Sequence, residues 1–144
     1  MFAFPDAVPA LTPKTVEARI HAIGAQPAVR ELWRRPKDWD VVMAGVESGD
    51  AAWLKVATEL KPGADAGQSE SLAIVVSRSI QHNPRAFLLI AFPSFGVAVC
   101  GDLNIEPTAA QHKSFQKKTE KALVSVGNED TRKDRDACLA ELRK

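Results

Sequence analysis

Cys100 and Cys138 are the only cysteines in the chain, and sulfur is the most reactive chemistry the sequence offers. Neither belongs to a Cys-x-x-Cys motif, and neither has the cysteine and histidine context of a protease, so a nucleophilic thiolate is not indicated. Cys100 closes a short apolar run, Phe95-Gly96-Val97-Ala98-Val99. Cys138 falls on the apolar stripe of the last predicted helix, with Arg135, Leu139 and Leu142. Both point inward from segments that a fold has to tie down. Read as a pair, they make a disulfide and place the protein in an oxidising compartment, because cytosolic thiols stay reduced. Read singly, they are two buried thiols acting as small apolar side chains. The bridge is the expectation. It would close a loop of about 38 residues, worth on the order of 4 kcal/mol in the chain-entropy model.

Acid–base chemistry would need paired carboxylates or a well-placed histidine. Asp38 with Asp40, and Glu47 with Asp50, are the close acidic pairs. A two-carboxylate hydrolase sets its acids across a cleft. Here the first pair sits at a helix start, where acids suit the dipole, and the second brackets a turn. Capping and solubility explain both better than a hydrolase built on Asp38, Asp40 or Glu47. His21, His82 and His112 lie far apart, with no second ligand one helical turn away, so no metal site and no cofactor are expected. Lys113, Lys117, Lys118 and Lys121 form a basic cluster interrupted by Glu120, read as a solvated outer face. Trp33, Trp39 and Trp53 are candidate interface anchors. Trp39 and Trp53 keep the register of apolar stripes, which favours core packing.

The elements that would position these residues read as helices almost throughout. Trp39, Val42, Met43 and Val46 repeat at helical spacing, as do Trp53, Val56, Ala57 and Leu60. Between them Ser48-Gly49-Asp50 supplies a left-handed glycine and an N-cap, predicting a helical hairpin. Its polar face offers Glu47, Ser48, Asp50 and Lys55 as a candidate partner surface. Thr12-Pro13 starts a helix carrying Val16, Ile20 and Ile23. Gly24 and Pro27 interrupt it, Val29, Leu32 and Trp33 continue, and Pro36 opens the hairpin. Lys61-Pro62-Gly63 is a turn, and Asp65 with Gln68 resembles a capping box before Leu72, Val75, Val76 and Ile80. Asn83-Pro84 starts a helix apolar nearly all round through Phe87, Leu88, Ile90 and Ala91, expected at the centre. Residues 92–107 read as irregular, with Val97 and Val99 in a brief extended piece. Pro107 is expected to open a long helix with Phe115, Thr119, Ala122, Leu123 and Val126 inside. Gly127-Asn128 then closes it and caps the last one.

The fold expected is all-α, a compact bundle or short helical-repeat-like stack of about seven or eight helices with one irregular crossover. Residues 1–11 read as an extended N-terminal arm and 12–144 as a single helical domain. The chain has 144 residues, 45% apolar and 26% charged, with 19 basic against 18 acidic side chains. That balance argues against nucleic acid as a partner, since phosphate-tracking proteins show a basic surplus. The longest apolar stretch, residues 86–92, is too short to span a bilayer. Met1-Phe2-Ala3-Phe4-Pro5-Asp6 has no basic start and no sustained apolar core, so it does not read as a signal peptide. The chain is then either cytosolic or a mature domain whose leader has been replaced by a starting Met.

The hairpin Ser48-Gly49-Asp50-Ala51-Ala52-Trp53-Leu54, the Asn83-Pro84 helix start, Cys100 before the penultimate helix and Cys138 in the final one together resemble a group of small helical bacterial periplasmic proteins. Some of that group are type VI secretion immunity proteins that neutralise a cell-wall amidase. The resemblance spans roughly residues 36–142, and its motifs are structural. It implies a periplasmic homodimer that blocks the active site of a secreted bacterial toxin, with no catalysis of its own, and it transfers no contact residues. The competing reading is an intracellular helical adaptor or scaffold, cytoplasmic and non-catalytic, with free thiols.

Overall fold

The computed structural model describes residues 10–144. Most of the arm expected over 1–11 lies outside the described residues; Leu11, at its end, packs partly buried against the core.

α1 (Pro13–Ile23) starts where the sequence says it should. Thr12 Oγ1 accepts from the Thr15 N–H at 3.2 Å, and Pro13 occupies the first turn, where a missing N–H is harmless. Gly24, at φ 91°, ends α1 by donating to the Ile20 carbonyl at 2.8 Å, and α2 (Ala25–Trp33) begins beside it. α3 (Pro36–Glu47) and α4 (Ala51–Leu60) form the expected hairpin. Gly49 turns the chain at φ 82°, and Asp50 accepts from the Trp53 N–H at 3.0 Å.

Trp39, Val42, Met43 and Val46 are all buried, as their spacing requires. On α4 the stripe is shifted: Leu54 is fully buried, and Trp53 only partly. The Trp53 ring instead lies over Gly45, where an added Cβ would fall 2.6 Å from it. Trp33 is 45% exposed and meets the Trp39 ring edge-on at 5.1 Å, so it is not a core residue.

α5 (Ala66–Ser79) opens on the Asp65–Gln68 capping box and buries Leu72, Val75 and Val76, with Ile80 just beyond its end. Asn83 caps α6 (Pro84–Ala86), accepting from the Ala86 N–H at 3.2 Å. The helix then runs without a break through a π turn (Phe87–Ala91) into α7 (Phe92–Phe95). This corrects the expectation that it ends before Phe92. Pro93 has no N–H to donate and its ring crowds the carbonyl behind it. The wider turn, in which the Phe92 N–H donates to the Phe87 carbonyl, makes room. Phe87, Leu88 and Ala91 are buried against α4 and α5 at the centre of the bundle.

Val97 and Val99 do not form an extended piece. Residues Val97–Cys100 make a 3-10 turn that presses Val99 and Cys100 into the core beside α5 and α9 (Arg132–Leu142). α8 (Ala109–Val124) starts two residues later than Pro107 suggests. Thr108 is its N-cap, accepting from the Gln111 N–H at 3.1 Å while its own N–H donates to Gln111 Oε1 at 2.9 Å. Asn128 does not cap α9 through its side chain. Its carbonyl accepts from Thr131 N and Oγ1 in a 3-10 turn (Glu129–Thr131) that precedes the helix. With 84–95 taken as one rod, the described residues hold eight helices and no strand. No helix among them is long and apolar enough to cross a membrane.

Candidate partner-binding loop

The irregular crossover between the 3-10 turn and α8 is where polar chemistry concentrates. Its first anchor is covalent in geometry: the Cys100 and Cys138 sulfurs lie 2.05 Å apart, at disulfide distance, with Cα atoms 5.3 Å apart. Both residues are fully buried. Next along the chain, Ser77 of α5 donates its hydroxyl to the Gly101 carbonyl at 3.1 Å. A carbonyl leaving a helical turn needs such a donor when it is not in water.

Asp102 is the hub. Its side chain is only 3% exposed. Oδ1 accepts from the Asn104 N–H at 2.9 Å and from the Asn104 amide at 2.7 Å, and Oδ2 lies 2.8 Å from His112 Nδ1. A carboxylate has only lone pairs to offer, so Nδ1 carries the hydrogen. Burial pushes the Asp102 carboxyl up. The Asn104 N–H, the His112 ring and the Asn104 amide together outweigh burial and hold it below the usual aspartate range.

Asn104 in turn is held from α5, where Arg78 Nε donates to its Oδ1 at 2.8 Å. The same guanidinium donates to Glu47 Oε1 at 3.3 Å, so the hairpin, α5 and the crossover share one hydrogen-bonded chain. Beyond these anchors the loop presents Ile105, 71% exposed, the most exposed large hydrophobic among the described residues. Glu106 follows at φ 45°, the only positive φ outside glycine in the described chain. An L-residue in that region is strained, and it persists only where its surroundings over-determine it. Beside the tip, Ile74, Arg78, Asn104, Ile105, Pro107 and Gln111 line a shallow groove of about 410 Å³.

Each of the four hairpin residues has an intramolecular partner of its own. Glu47 turns to Arg78 on α5. Lys55 turns to Glu17 on α1, at 3.3 Å. Ser48 Oγ donates to the Gly45 carbonyl at 2.6 Å, and Asp50 is used as the cap of α4, so both serve the turn itself. Asp38 stands 3.9 Å from Arg35, and Asp40 is exposed. Among the described residues no cluster of His, Cys, Asp and Glu has the geometry to hold a metal ion.

Two constellations escape a reading of the sequence. One is the Asp102–His112–Asn104–Arg78 network. The other joins α1 and α4, where Glu17 and His21 face Lys55 and Glu59. His21 Nε2 lies 2.8 Å from Glu59 Oε2. Both positions of each pair stand four apart, a signal visible in the sequence, but the partner helix is not.

No protein-family model, curated protein or solved structure matches the chain.

Proposed function

We propose that this chain is a binding protein that acts by occlusion, docking its crossover loop on a partner protein and running no reaction of its own. The observation that carries the reading is the contrast within residues 100–107. A disulfide-distance cysteine pair, Ser77, Arg78 and His112 hold the segment, while Ile105 stands 71% exposed at its tip next to a strained Glu106. A loop already fixed in one conformation loses little freedom on docking, which is how inhibitors achieve tight binding from a small contact. Ile105 supplies the apolar anchor, and Arg78, Asn104 and Gln111 a polar rim.

The cysteine pair supports a compartment where the bond persists, and the periplasm is the location proposed. The partner class follows from the resemblance of the hairpin and cysteine layout: a secreted bacterial cell-wall amidase toxin, met by a homodimer of this chain. The test is survival. Cells exporting this protein should tolerate the amidase encoded beside its gene, and cells exporting the Ile105→Asp variant at equal level should not. Absence of protection removes the amidase from the proposal; equal protection by the variant removes the loop. Light scattering on the purified protein tests the dimer, and a monomeric mass contradicts it.

A further inference from the structure

The outer face of α8 carries Lys113, Lys117 and Lys121 in a single helical row. The spacing of four residues stacks them about 6 Å apart along one side. All three are exposed, and none has an ion-pair partner among the described residues. Like charges at this spacing oppose helix formation by a few tenths of a kcal/mol per pair. The row is therefore a repulsion that no ion pair among the described residues offsets.

The row also forms a wall. Between α8 and the end of α9 lies a groove of about 630 Å³, bounded by the three lysines on one side and Arg143 on the other. Arg143 Nε donates to Glu120 Oε2 at 3.1 Å, and the Gln116 amide donates to the Leu142 carbonyl at 3.2 Å, which fixes the two helices across the floor. Val124, 56% exposed, closes one end.

We infer that this groove receives a carboxylate-bearing segment of a protein partner, its acidic side chains matched to the lysine row and an apolar side chain seated on Val124. Charge complementarity selects an anion. A protein is favoured over a nucleic acid because the chain as a whole carries a net charge of only +1, without the basic surplus of a phosphate-tracking protein. An apolar terminus to the groove suits a peptide and has no counterpart on a phosphate backbone. This surface is separate from the crossover loop, and the inference does not rest on that loop's role.

The experiment is fluorescence anisotropy of a labelled synthetic helical peptide carrying three glutamates at four-residue spacing and one leucine. Two further probes are the same peptide with glutamines in place of the glutamates, and a short duplex DNA. Lys113→Gln, Lys117→Gln and Lys121→Gln are combined in one variant, with Lys117→Gln alone as a milder one. The glutamate peptide should bind the wild-type chain, and the triple variant should bind it roughly tenfold more weakly, the single variant about two- to threefold. Binding should weaken several-fold as salt rises from about 0.05 M to about 0.3 M. The glutamine peptide and the duplex should bind at least roughly tenfold more weakly than the glutamate peptide. The variants should unfold at the wild-type temperature or slightly above it, since a repulsion has been removed. Failure of the glutamate peptide to bind, equal binding by the triple and single variants and the wild type, or tighter binding of the duplex would each overturn the inference.

Discussion

Asp102 and His112 meet at 2.8 Å, although the carboxylate is 3% exposed and the imidazole 47%. The contact joins the crossover to the first turn of α8. Because the hydrogen bonds to Asp102 hold its carboxyl below the ordinary aspartate range, its ionised form favours the folded state. That contribution is complete above the unfolded value of about 4 and disappears as pH falls through the lower folded value. Asp102→Asn should therefore lower stability by about 1–3 kcal/mol near neutral pH. The gap between variant and wild type should close in acid. Urea titrations at a series of pH values read this out, and a gap independent of pH would contradict it.

The cysteine pair makes a second expectation. It closes 38 residues, so replacing Cys138 with Ser should lower stability by about 4 kcal/mol if the bond acts through the unfolded chain. Reducing agent should have the same effect on the wild type and none on the variant. Chemical denaturation with and without reductant distinguishes the two, and a wild type indifferent to reductant would point to free thiols.

Glycines separate by what surrounds them. A Cβ at Gly63 would run into the Ala25 carbonyl carbon and the Gln26 nitrogen, both backbone atoms that cannot step aside. Gly63→Ala should cost at least about 2 kcal/mol. Gly101 has nothing within 4 Å of the same position and an ordinary φ of −84°, so Gly101→Ala should stay within about 0.5 kcal/mol of wild type. Thermal unfolding of the two variants side by side is the check.

Ile105 should matter for recognition alone. At 71% exposure it has little burial to lose, so Ile105→Asp should change stability by less than about 0.5 kcal/mol. Calorimetric unfolding measures this directly. A large loss would assign Ile105 to packing and deprive the loop of its anchor.

Local signals in the sequence translated well into structure. Thr12, Asp50 and Asn83 each accept from the amide three residues on, and the Asp65 N–H donates to Gln68 Oε1, so their role is complete within one turn of chain. The buried stripe of α3 is legible for the same reason, since its period is a property of the helix alone. What failed depended on neighbours or on competition between adjacent signals. Pro107 reads as a helix start, yet Thr108 beside it supplies the cap that sets the boundary. Residues 92–107 read as irregular, yet a π turn carries the helix past Pro93 to Phe95. Trp53 fits a stripe, but Gly45 offers its ring a flat seat, and Leu54 takes the core position.

The crossover site was hidden more deeply. Arg78 and Asn104 stand 26 residues apart, and Ser77 and Gly101 stand 24 apart. No periodicity or cap relates them; only the packing of α5 against the 3-10 turn brings them together. The two cysteines were the one visible trace, because pairing them ties this crossover to α9.

The binding reading depends above all on the crossover holding a single conformation before any partner arrives. Backbone ¹⁵N relaxation on the oxidised protein measures that directly for residues 102–106. Order parameters near about 0.85, equal to those of the flanking helices, are expected, whereas values below about 0.6 would mean a flexible loop and contradict a preformed binding surface.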